Sequence, residues 1–528
     1  MQGFYLHVIL PLKLAWTPTY RSDVPCRMGQ RVLVKLGSRE YIAVVSETDV
    51  LPDIDESRIQ PILDHDCGLP DISETELKLW DFIASYYLCS IGEVYKAAYP
   101  SMKTRSEVVS ASALERLRVR LAKKEVDLLK KHNARVMARL TGERDALLAQ
   151  IRSFERRPLA GGAREKSSAK PLVITGSGRC AEYVSRIREV LNDGGQVLVL
   201  TPEIAFCENM EKLLKPVFDD ALKTFNSNVS AVQRRRIADD IRDGEPCIVL
   251  GTRVSVFLPF SKLALVIIDD EQDSSYKQTE PAPRYNARDV ATALGTIHGA
   301  QVILGTDSPS LETLYNVEKG RYTMLAASTP ADCGDSCEIV DINAERRKNG
   351  MLGCLSRKLL AAMADCSQPI VLVRRWEKTE DLQDELKKYI PERSDIRIMS
   401  MQELKSEGTH GAAMIAVLQA DAFISKDDFR ADERAIQLKA MLCALAPQVV
   451  IQTASGERFS NARSTQELLA ERREFGFPPF TRIVEIRQSG TGQTMQRFFL
   501  RKDASLAAEK RKIASSVTAS CYVDVDPA

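Results

Sequence analysis

Short apolar runs alternate with amphipathic stretches through the middle of the chain. The apolar runs lie at residues 171–175, 196–201, 247–251, 263–269 and 301–305. Helical patterns between such runs predict a parallel α/β sheet with its functional loops at the carboxyl ends of the strands. A second and weaker series, at residues 370–373, 396–399, 413–418 and 448–453, predicts another sheet of the same type.

The two ends of the chain follow different patterns. Residues 1–102 indicate a β-rich module, with strand-like runs at 5–10, 31–35 and 41–46. A helix is predicted at 73–87, because Ser73 and Glu76 have the spacing of a capping box. The segment after residue 481 is compact and has strand-like ends at 483–487 and 520–525.

Between these parts lies a basic segment. Residues 106–157 have leucines at roughly helical spacing, and residues 158–170 have the Gly, Ser, Ala and Lys content of a linker. Residues 101–170 hold 18 Lys and Arg against 8 Asp and Glu, whereas the whole chain has a net charge of only +1. This segment is either a contact for a phosphate backbone or a solvated helical face.

The bulk composition excludes several classes of protein. The 528 residues are 44% hydrophobic and 27% charged, which is typical of soluble globular domains. The apolar stretch near the start is interrupted by His7, Pro11 and Lys13, which favours a strand over a signal peptide. The interpretation is a cytoplasmic protein without a membrane partner. None of the twelve cysteines forms a CxxC pair, and no metal site is predicted.

A phosphate-binding loop is indicated where the first predicted strand meets a helix. The six candidate nucleotide-binding residues are Thr175, Gly176, Ser177, Gly178, Arg179 and Cys180. An intact loop has Lys and then Ser or Thr after its last glycine, to contact the β- and γ-phosphates and to hold Mg²⁺. Arg179 and Cys180 occupy those positions, and Val173 stands where the first glycine is expected. ATP and Mg²⁺ are therefore expected to bind weakly if at all.

A cluster of acidic residues follows the strand predicted at 263–269. Asp269, Asp270 and Glu271 come directly after the apolar run, as in a Walker B motif that orders Mg²⁺ and the attacking water. These three residues are the candidate catalytic groups. The motif alone is weak evidence, and the segments before and after it strengthen it.

Those segments resemble the primosomal protein N′ (PriA) family of superfamily-2 replication-restart helicases. The matching segments are 201–205 (TPEIA), 251–260 (GTRVSVFLPF), 273–278 (DSSYKQ), 284–291 (RYNARDVA), 304–313 (LGTDSPSLET) and 470–480 (AERREFGFPPF). Segments 29–34, 86–94 and 523–527 are also similar to that family. The chain is identified as a divergent, degenerate member.

The resemblance implies a fold class and five domains. The expected class is α/β, with two helicase-type (RecA-like) parallel-sheet lobes, an N-terminal β-rich DNA-binding module and a small C-terminal α+β domain. The expected domains are 1–102, like a 3′-DNA-end-binding module; 103–170, a basic helical segment resembling a degenerate winged helix, with the linker; 171–330, lobe 1; 331–480, lobe 2; and 481–528, the C-terminal domain.

The departures from the family bear on catalysis. The family's acidic box is Asp-Glu-Glu-His, so Asp270 is shorter by one methylene and Gln272 replaces the His that couples hydrolysis to DNA. A displacement of about 1 Å can cost on the order of 100-fold in rate. The family's two late arginines are absent from residues 441–447. The eight-cysteine zinc cassette that follows Arg374 and Arg375 in the family is absent, so zinc is not expected.

The resemblance also implies the residues that contact DNA. They are Tyr20, Gly37, Arg253, Tyr276, Lys277, Arg284 and Tyr285. Gly37 matches a glycine that lets the chain approach the terminal nucleotide of a 3′ end. For the loop around Tyr276 and Tyr285, the alternative is a structured segment that braces the two lobes.

The expected function is binding of branched or forked DNA in replication restart, with weakened or lost ATPase and unwinding activity. The alternatives are an active ATP-dependent 3′→5′ DNA helicase and a non-functional remnant. Whether the chain is an enzyme stays open, because both Walker motifs and the arginine motif are altered. The partners implied are forked or single-stranded DNA, other primosome proteins and single-strand-binding protein.

Overall fold

The computed structural model describes residues 4–52, 55–100, 170–176, 178–327, 336–424, 428–460, 463–518 and 520–527, together with positions 141 and 144. The helical segment predicted at 106–157 and its linker therefore lie almost wholly outside the described residues. The predicted α/β class is confirmed, because two parallel sheets form the centre of the molecule and an antiparallel sheet lies at the N-terminus.

The N-terminal module is an antiparallel sheet backed by two helices. Its elements are β1 (Phe4–Ile9), β2 (Thr19–Ser22), β3 (Arg31–Leu36), β4 (Arg39–Thr48), α1 (Glu74–Tyr87) and α2 (Ile91–Ala98). The strands lie in the order β2-β1-β4-β3. The capping box predicted from Ser73 and Glu76 is present, and Ser90 and Glu93 form a second one at α2. Capping of this kind satisfies the free N–H groups of the first helical turn.

Lobe 1, the first parallel α/β unit, is built on seven strands. The strands are β5 (Leu172–Thr175), β6 (Gln196–Leu200), β7 (Leu222–Phe225), β8 (Ile248–Gly251), β9 (Leu263–Ile268), β10 (Gln301–Thr306) and β11 (Thr323–Ala326). The helices are α3 (Arg179–Asn192), α4 (Ile204–Phe218), α5 (Ala231–Arg242), α6 (Ala287–His298) and α7 (Leu311–Glu318). The sheet order is β11-β5-β10-β9-β6-β8-β7, so the carboxyl ends of β5, β10 and β9 lie side by side.

Lobe 2, the second parallel unit, has five strands in the order β12-β18-β17-β15-β16. These are β12 (Cys337–Asp341), β15 (Ile370–Arg374), β16 (Ile396–Ser400), β17 (Met414–Val417) and β18 (Gln448–Thr453). A short hairpin, β13 (Met351–Leu352) and β14 (Leu355–Ser356), lies beside them. The helices are α8 (Ile342–Lys348), α9 (Arg357–Asp365), α10 (Thr379–Tyr389), α11 (Met401–Glu407), α12 (Ala431–Leu445), α13 (Gly456–Phe459) and α14 (Thr465–Glu474).

The C-terminal unit is a small α+β structure. It contains β19 (Thr481–Gln488), β20 (Thr494–Arg501), α15 (Leu506–Ser515) and β21 (Cys521–Val525), with the strands in the order β20-β19-β21. Its apolar residues share one core with α1, α2 and lobe 1. The N-terminal module, lobe 1 and the C-terminal unit therefore pack as a single body.

Polar contacts join the two lobes at two places. On α11, Lys405 binds the Asp273 carboxylate at 3.1 Å. At the start of α7, the N–H of Leu311 donates to the Glu433 carboxylate of α12 at 2.8 Å, and Arg472 binds that same carboxylate. Within the described ranges, no helix is both long and apolar enough to cross a membrane.

Candidate functional site

The predicted phosphate-binding loop joins β5 to α3. Thr175 is the last residue of β5, and Gly176 follows with a left-handed φ of +95°. Ser177 lies outside the described residues, and Gly178 is the N-cap of α3 without a side-chain cap. Val173, at the position of the missing glycine, is fully buried inside β5. The strand–turn–helix arrangement predicted from the sequence is therefore present.

Arg179, the first residue of α3, binds three carboxylates at once. Its Nε donates to Asp269 at 2.8 Å, its Nη1 to Asp307 at 2.7 Å and its Nη2 to Asp270 at 3.3 Å. Asp269 and Asp307 follow the neighbouring strands β9 and β10, so the sheet order brings them to one edge. The guanidinium stands between these carboxylates, at the place where the sequence predicted phosphate and Mg²⁺.

The electrostatics of this cluster follow from its burial. Burial disfavours the charged guanidinium, but Asp269, Asp270 and Asp307 outweigh that effect and raise the pKa of Arg179. Burial, together with the Asp269 carboxylate, raises the pKa of Asp270 above the usual range of a carboxyl group. Asp270 also has a left-handed φ of +49°, an uncommon conformation for a residue with a side chain. One cation thus compensates three closely placed acids.

Two further side chains of α3 complete the cluster. The hydroxyl of Tyr183 donates to Asp269 at 2.9 Å from a fully buried position. Burial raises the pKa of the Cys180 thiol to about 11, so Cys180 is a neutral thiol near pH 7. A thiol of this kind is a poor Mg²⁺ ligand, since Mg²⁺ prefers oxygen.

Glu271 is held away from the Arg179 cluster. Its Oε1 accepts from the N–H of Ser310 at 2.7 Å, and its Oε2 accepts from Arg288 at 3.1 Å. The residue is 1% exposed. Gln272, in the place of the family's His, accepts from the Thr306 hydroxyl at 2.6 Å. Glu271 therefore ties the segment after β9 to the loop after β10, and Gln272 ties it to the last residue of β10.

The aromatic loop after β9 is packed inside the protein. Tyr276 and Tyr285 are fully buried. The Tyr276 hydroxyl donates to the carbonyl of Leu200 at 3.0 Å, and the Tyr285 hydroxyl donates to that of Arg253 at 3.1 Å. Arg253 in turn donates to the carbonyl of Ser275 at 2.8 Å. These contacts hold the two rings within lobe 1 and do not join them to lobe 2. A brace between the two lobes and stacking of either ring on DNA both stay predictions.

Lys277 and Arg284 attach the same loop to the C-terminal unit. The Lys277 ammonium lies 2.8 Å from Asp524 and donates to the carbonyl of Val525 at 2.7 Å, and the side chains of the ion pair are each 2% exposed. The Arg284 guanidinium lies 3.5 Å from the ring centroid of Tyr522. Both cations predicted to contact DNA thus have protein partners.

The N-terminal module presents its hairpin turn to solvent. Gly37 lies between β3 and β4 with a φ of +60°, and a Cβ at this position would meet no heavy atom within 4 Å. Tyr20 is 3% exposed, and its hydroxyl donates to the carbonyl of Lys35 at 2.8 Å. Tyr20 therefore supports the hairpin from inside the module, while Gly37 is open to a ligand.

Sequence reasoning missed three residues that define these sites. Asp307 lies in segment 304–313, and its position directly after β10 is the signal by which it could have been predicted. Tyr183 carries no signal beyond its buried helical position. Asp524 is the partner of a lysine 247 positions earlier in the chain, and no local pattern could reveal that pairing.

Comparison with known proteins gives a consistent result. The profile of the PriA 3′ DNA-binding domain (3′BD) matches residues 7–100. The replication restart protein PriA of Haemophilus influenzae is 27% identical over 413 residues, which are 67% of this chain and 56% of that protein. PriA of Rickettsia felis is 29% identical, over 64% of this chain and 48% of that protein. PriA of Chlamydia pneumoniae is 34% identical over 194 residues, which are 36% of this chain and 26% of that protein.

The solved structures that the comparison matches include the structure of RecG bound to a three-way DNA junction. That structure is 12% identical with a TM-score of 0.37, over 90% of this chain and 69% of RecG. A DEAD box protein from Methanococcus jannaschii is 11% identical with a TM-score of 0.31, over 58% of this chain and 87% of its own.

The matches agree with the motifs quoted from the sequence. The chain spans about half the length of the curated relatives it matches. The PriA relatives and the 3′BD profile together cover the N-terminal module and much of the chain. The resemblance predicted from the sequence is therefore confirmed: this chain is similar to the PriA replication restart proteins, and its residues 7–100 match the model of the PriA 3′ DNA-binding domain.

Proposed function

We propose that this chain binds forked DNA during replication restart and that its ATPase and unwinding activities are weakened or lost. One contrast carries the proposal. The described residues of the N-terminal module form a sheet and two helices with an open turn at Gly37, whereas each carboxylate of the Arg179 cluster is already bound by a guanidinium. The DNA-binding part is thus intact where the nucleotide-binding part is altered.

The hairpin between β3 and β4 is the proposed contact for a 3′ end. Lys35 and Arg39 are exposed on either side of Gly37, so two cations flank a turn that has no side chain at its tip. Such a turn allows the terminal nucleotide to approach the backbone closely, and the cations neutralise its phosphates. The hydrogen bond from Tyr20 to Lys35 holds the turn in place.

Weak nucleotide binding follows from the Arg179 cluster. Mg²⁺ held by Asp269 and a phosphate held at the start of α3 both require the guanidinium to leave its three partners. The helix N-terminus still favours an anion, so residual binding of ATP is part of the proposal. Zinc is not expected, and metal analysis of the purified protein checks this.

The proposed setting is the bacterial cytoplasm. The relatives are replication restart proteins, and this is the support for the setting. Forked and single-stranded DNA are the proposed ligands. Other primosome proteins and single-strand-binding protein are the proposed protein partners.

DNA-stimulated ATP hydrolysis is expected to be near background. Arg179, Cys180 and Asp270 alter phosphate contact, metal binding and water activation in the same reaction, and losses in one reaction multiply. The measurement is phosphate release with and without forked DNA. The proposal would be wrong if the chain hydrolysed ATP at the rate of an ordinary helicase and Asp269→Asn abolished that activity. The chain would then be an active enzyme.

Replacing Gly37 with leucine is expected to weaken binding to a fork with a free 3′ end by roughly tenfold or more, the equivalent of about 1.4 kcal/mol. The side chain blocks close approach without changing charge, so the dependence of affinity on salt stays the same. Gly37→Asn controls for strain in the backbone of the turn. Asn also adds a side chain, but it tolerates a positive φ with little strain. Binding is measured by fluorescence anisotropy on forks that end in a 3′ hydroxyl or a 3′ phosphate. Equal affinities of wild type and Gly37→Leu for both forks would contradict the proposed contact.

A further inference from the structure

Lobe 2 contains a cavity of about 770 Å³ that the proposed DNA contact does not use. It lies at the carboxyl ends of β12, β15, β17 and β18. Its lining includes Asn343, Arg346, Trp376, Gln419 and Asp421. Ligand sites in proteins commonly have volumes of about 300–1,000 Å³, so this cavity has room for a nucleotide.

The topology of the sheet marks this cavity as a binding site. From β15 the chain passes to β16 at one edge of the sheet, and from β17 it passes to β18 in the opposite direction. The point between adjacent strands β15 and β17 is therefore a topological switch point. Ligands of open α/β sheets bind in the crevice outside the strand ends at such points. Trp376 follows β15 here, and Gln419 follows β17.

Trp376 is a large aromatic side chain held at the surface. It is 68% exposed. The Glu377 carboxylate accepts from the N–H groups of Arg375 and Trp376 at 3.0 and 3.1 Å, and from the Gln419 amide at 3.0 Å. The turn that carries the indole is therefore tied to the end of β17, and the ring is exposed on an ordered backbone.

Two arginines near the indole are available to an anion, whereas the carboxylates of Glu377 and Asp421 are each held by hydrogen bonds to protein groups. The Arg375 guanidinium lies 6.0 Å from the Trp376 ring and 5.5 Å from the Phe423 ring. Arg375 and Arg346 are both exposed. The Asp421 carboxylate accepts from the Thr453 hydroxyl at 2.8 Å and from the N–H of Ala454 at 2.5 Å, so its charge is stabilised inside the protein.

We propose that Trp376 stacks on a base of single-stranded DNA while Arg375 and Arg346 contact the adjoining phosphates. An exposed aromatic ring beside guanidinium groups is the combination that single-strand-binding surfaces use. The inference rests on the proposed DNA-binding function and adds a second contact, in lobe 2, that is independent of the 3′ end.

Tryptophan fluorescence tests this contact directly. The chain has three tryptophans; Trp80 is 1% exposed and Trp16 is 58% exposed. In a Trp16→Phe background, oligo(dT) with a 3′ phosphate is expected to quench the emission of Trp376. The same titration of Trp16→Phe/Trp376→Phe, in which only buried Trp80 emits, is expected to show no quenching. The 3′ phosphate blocks the proposed contact of a free 3′ end with the N-terminal module, so the quenching reports on the lobe 2 contact.

Affinity for the same labelled oligonucleotide gives the magnitude. Trp376→Ala is expected to weaken binding about 5- to 150-fold, the range measured for loss of one stacked base. Arg346→Ala is expected to lower the slope of log affinity against log salt by about 1, whereas Trp376→Ala leaves the slope unchanged. Phe475→Ala is the matched control, because Phe475 is 62% exposed but does not line the cavity.

The outcomes separate this inference from the proposed function. If forked DNA with a free 3′ hydroxyl binds while Trp376→Ala changes nothing and no quenching occurs, the stacking contact is wrong and the proposed function stands. If no DNA binds the wild-type chain, both fail. Equal quenching by thymidine monophosphate would assign the cavity to a free nucleotide and overturn the single-strand contact. Unchanged unfolding midpoints of the variants confirm that the fold is preserved.

Discussion

Replacing Arg179 with alanine is expected to lower the free energy of unfolding by about 3–5 kcal/mol, the usual cost of removing one partner from a buried ion pair. The change leaves Asp269, Asp270 and Asp307 close together with no cation between them. Arg179→Lys is expected to fall between wild type and Arg179→Ala, because one ammonium cannot reproduce three directed contacts. The measurement is equilibrium denaturation followed by a probe in lobe 1.

Divalent cations give this prediction a sharper readout. Three converging carboxylates without the guanidinium attract Mg²⁺. The free energy of unfolding of the Arg179→Ala protein is therefore expected to rise by about 1.4 kcal/mol when Mg²⁺ is at ten times its dissociation constant. The wild-type protein is expected to gain nothing, because its carboxylates are occupied. Arg188→Ala is the control: Arg188 lies on the same helix but is exposed. An Arg179→Ala protein as stable as wild type, with no response to Mg²⁺, would show that the cluster contributes nothing to the fold.

Replacing Lys277 with methionine is expected to lower the free energy of unfolding by about 3–5 kcal/mol, because it removes one partner from a buried ion pair. The buried Asp524 carboxylate would then lose its nearer cation and keep Arg487 at 3.7 Å, at the contact between lobe 1 and the C-terminal unit. Lys277→Met/Asp524→Leu is expected to recover much of the loss, since removing both charges also removes both desolvation costs. Lys319→Met is the matched control, because its pair with Glu318 is exposed and such pairs contribute about 0–1 kcal/mol.

The Lys277 variant also decides between the two interpretations of its loop. A brace predicts loss of stability with forked-DNA affinity unchanged under conditions where the variant is folded. A direct DNA contact predicts the reverse, with weaker binding and a smaller salt slope. Additive single and double substitutions in the stability measurement would show that Lys277 and Asp524 do not interact, and that the structural interpretation is wrong.

Much of the fold could be predicted from the chain because its core strands carry their own signal. Strands β6, β8 and β9 are buried on both faces, so they are continuous apolar runs. Capping boxes such as Ser73 with Glu76 involve residues three positions apart and are visible in any window. The pattern missed the edge strands β2, β7, β11, β12 and β20 and the two-residue strands β13 and β14. Strand β11 is exposed along its whole length, so backbone pairing with β5 and not side-chain burial makes it a strand.

The sequence by itself determined that the phosphate-binding loop and the acidic motif after β9 depart from the usual pattern. Arg179 and Cys180 in the loop, and Asp270 and Gln272 after β9, are visible without a structure, as is the glycine turn at Gly37. Only the tertiary structure decided what these residues contact. Arg179 meets Asp269 and Asp307 from 90 and 128 positions away, because parallel strands bring distant carboxyl ends to one edge.

The aromatic loop shows the same limit most clearly. Tyrosine, lysine and arginine in a short segment suit either a base-stacking surface or a packed brace, and nothing local distinguishes the two. The choice depends on whether another part of the chain covers the loop. Strand β21 supplies Asp524 and Val525, which take the Lys277 ammonium into the protein. Burial is thus a property of the assembled fold that composition and spacing could not predict, and the Lys277 variants test what it implies for the function of the loop.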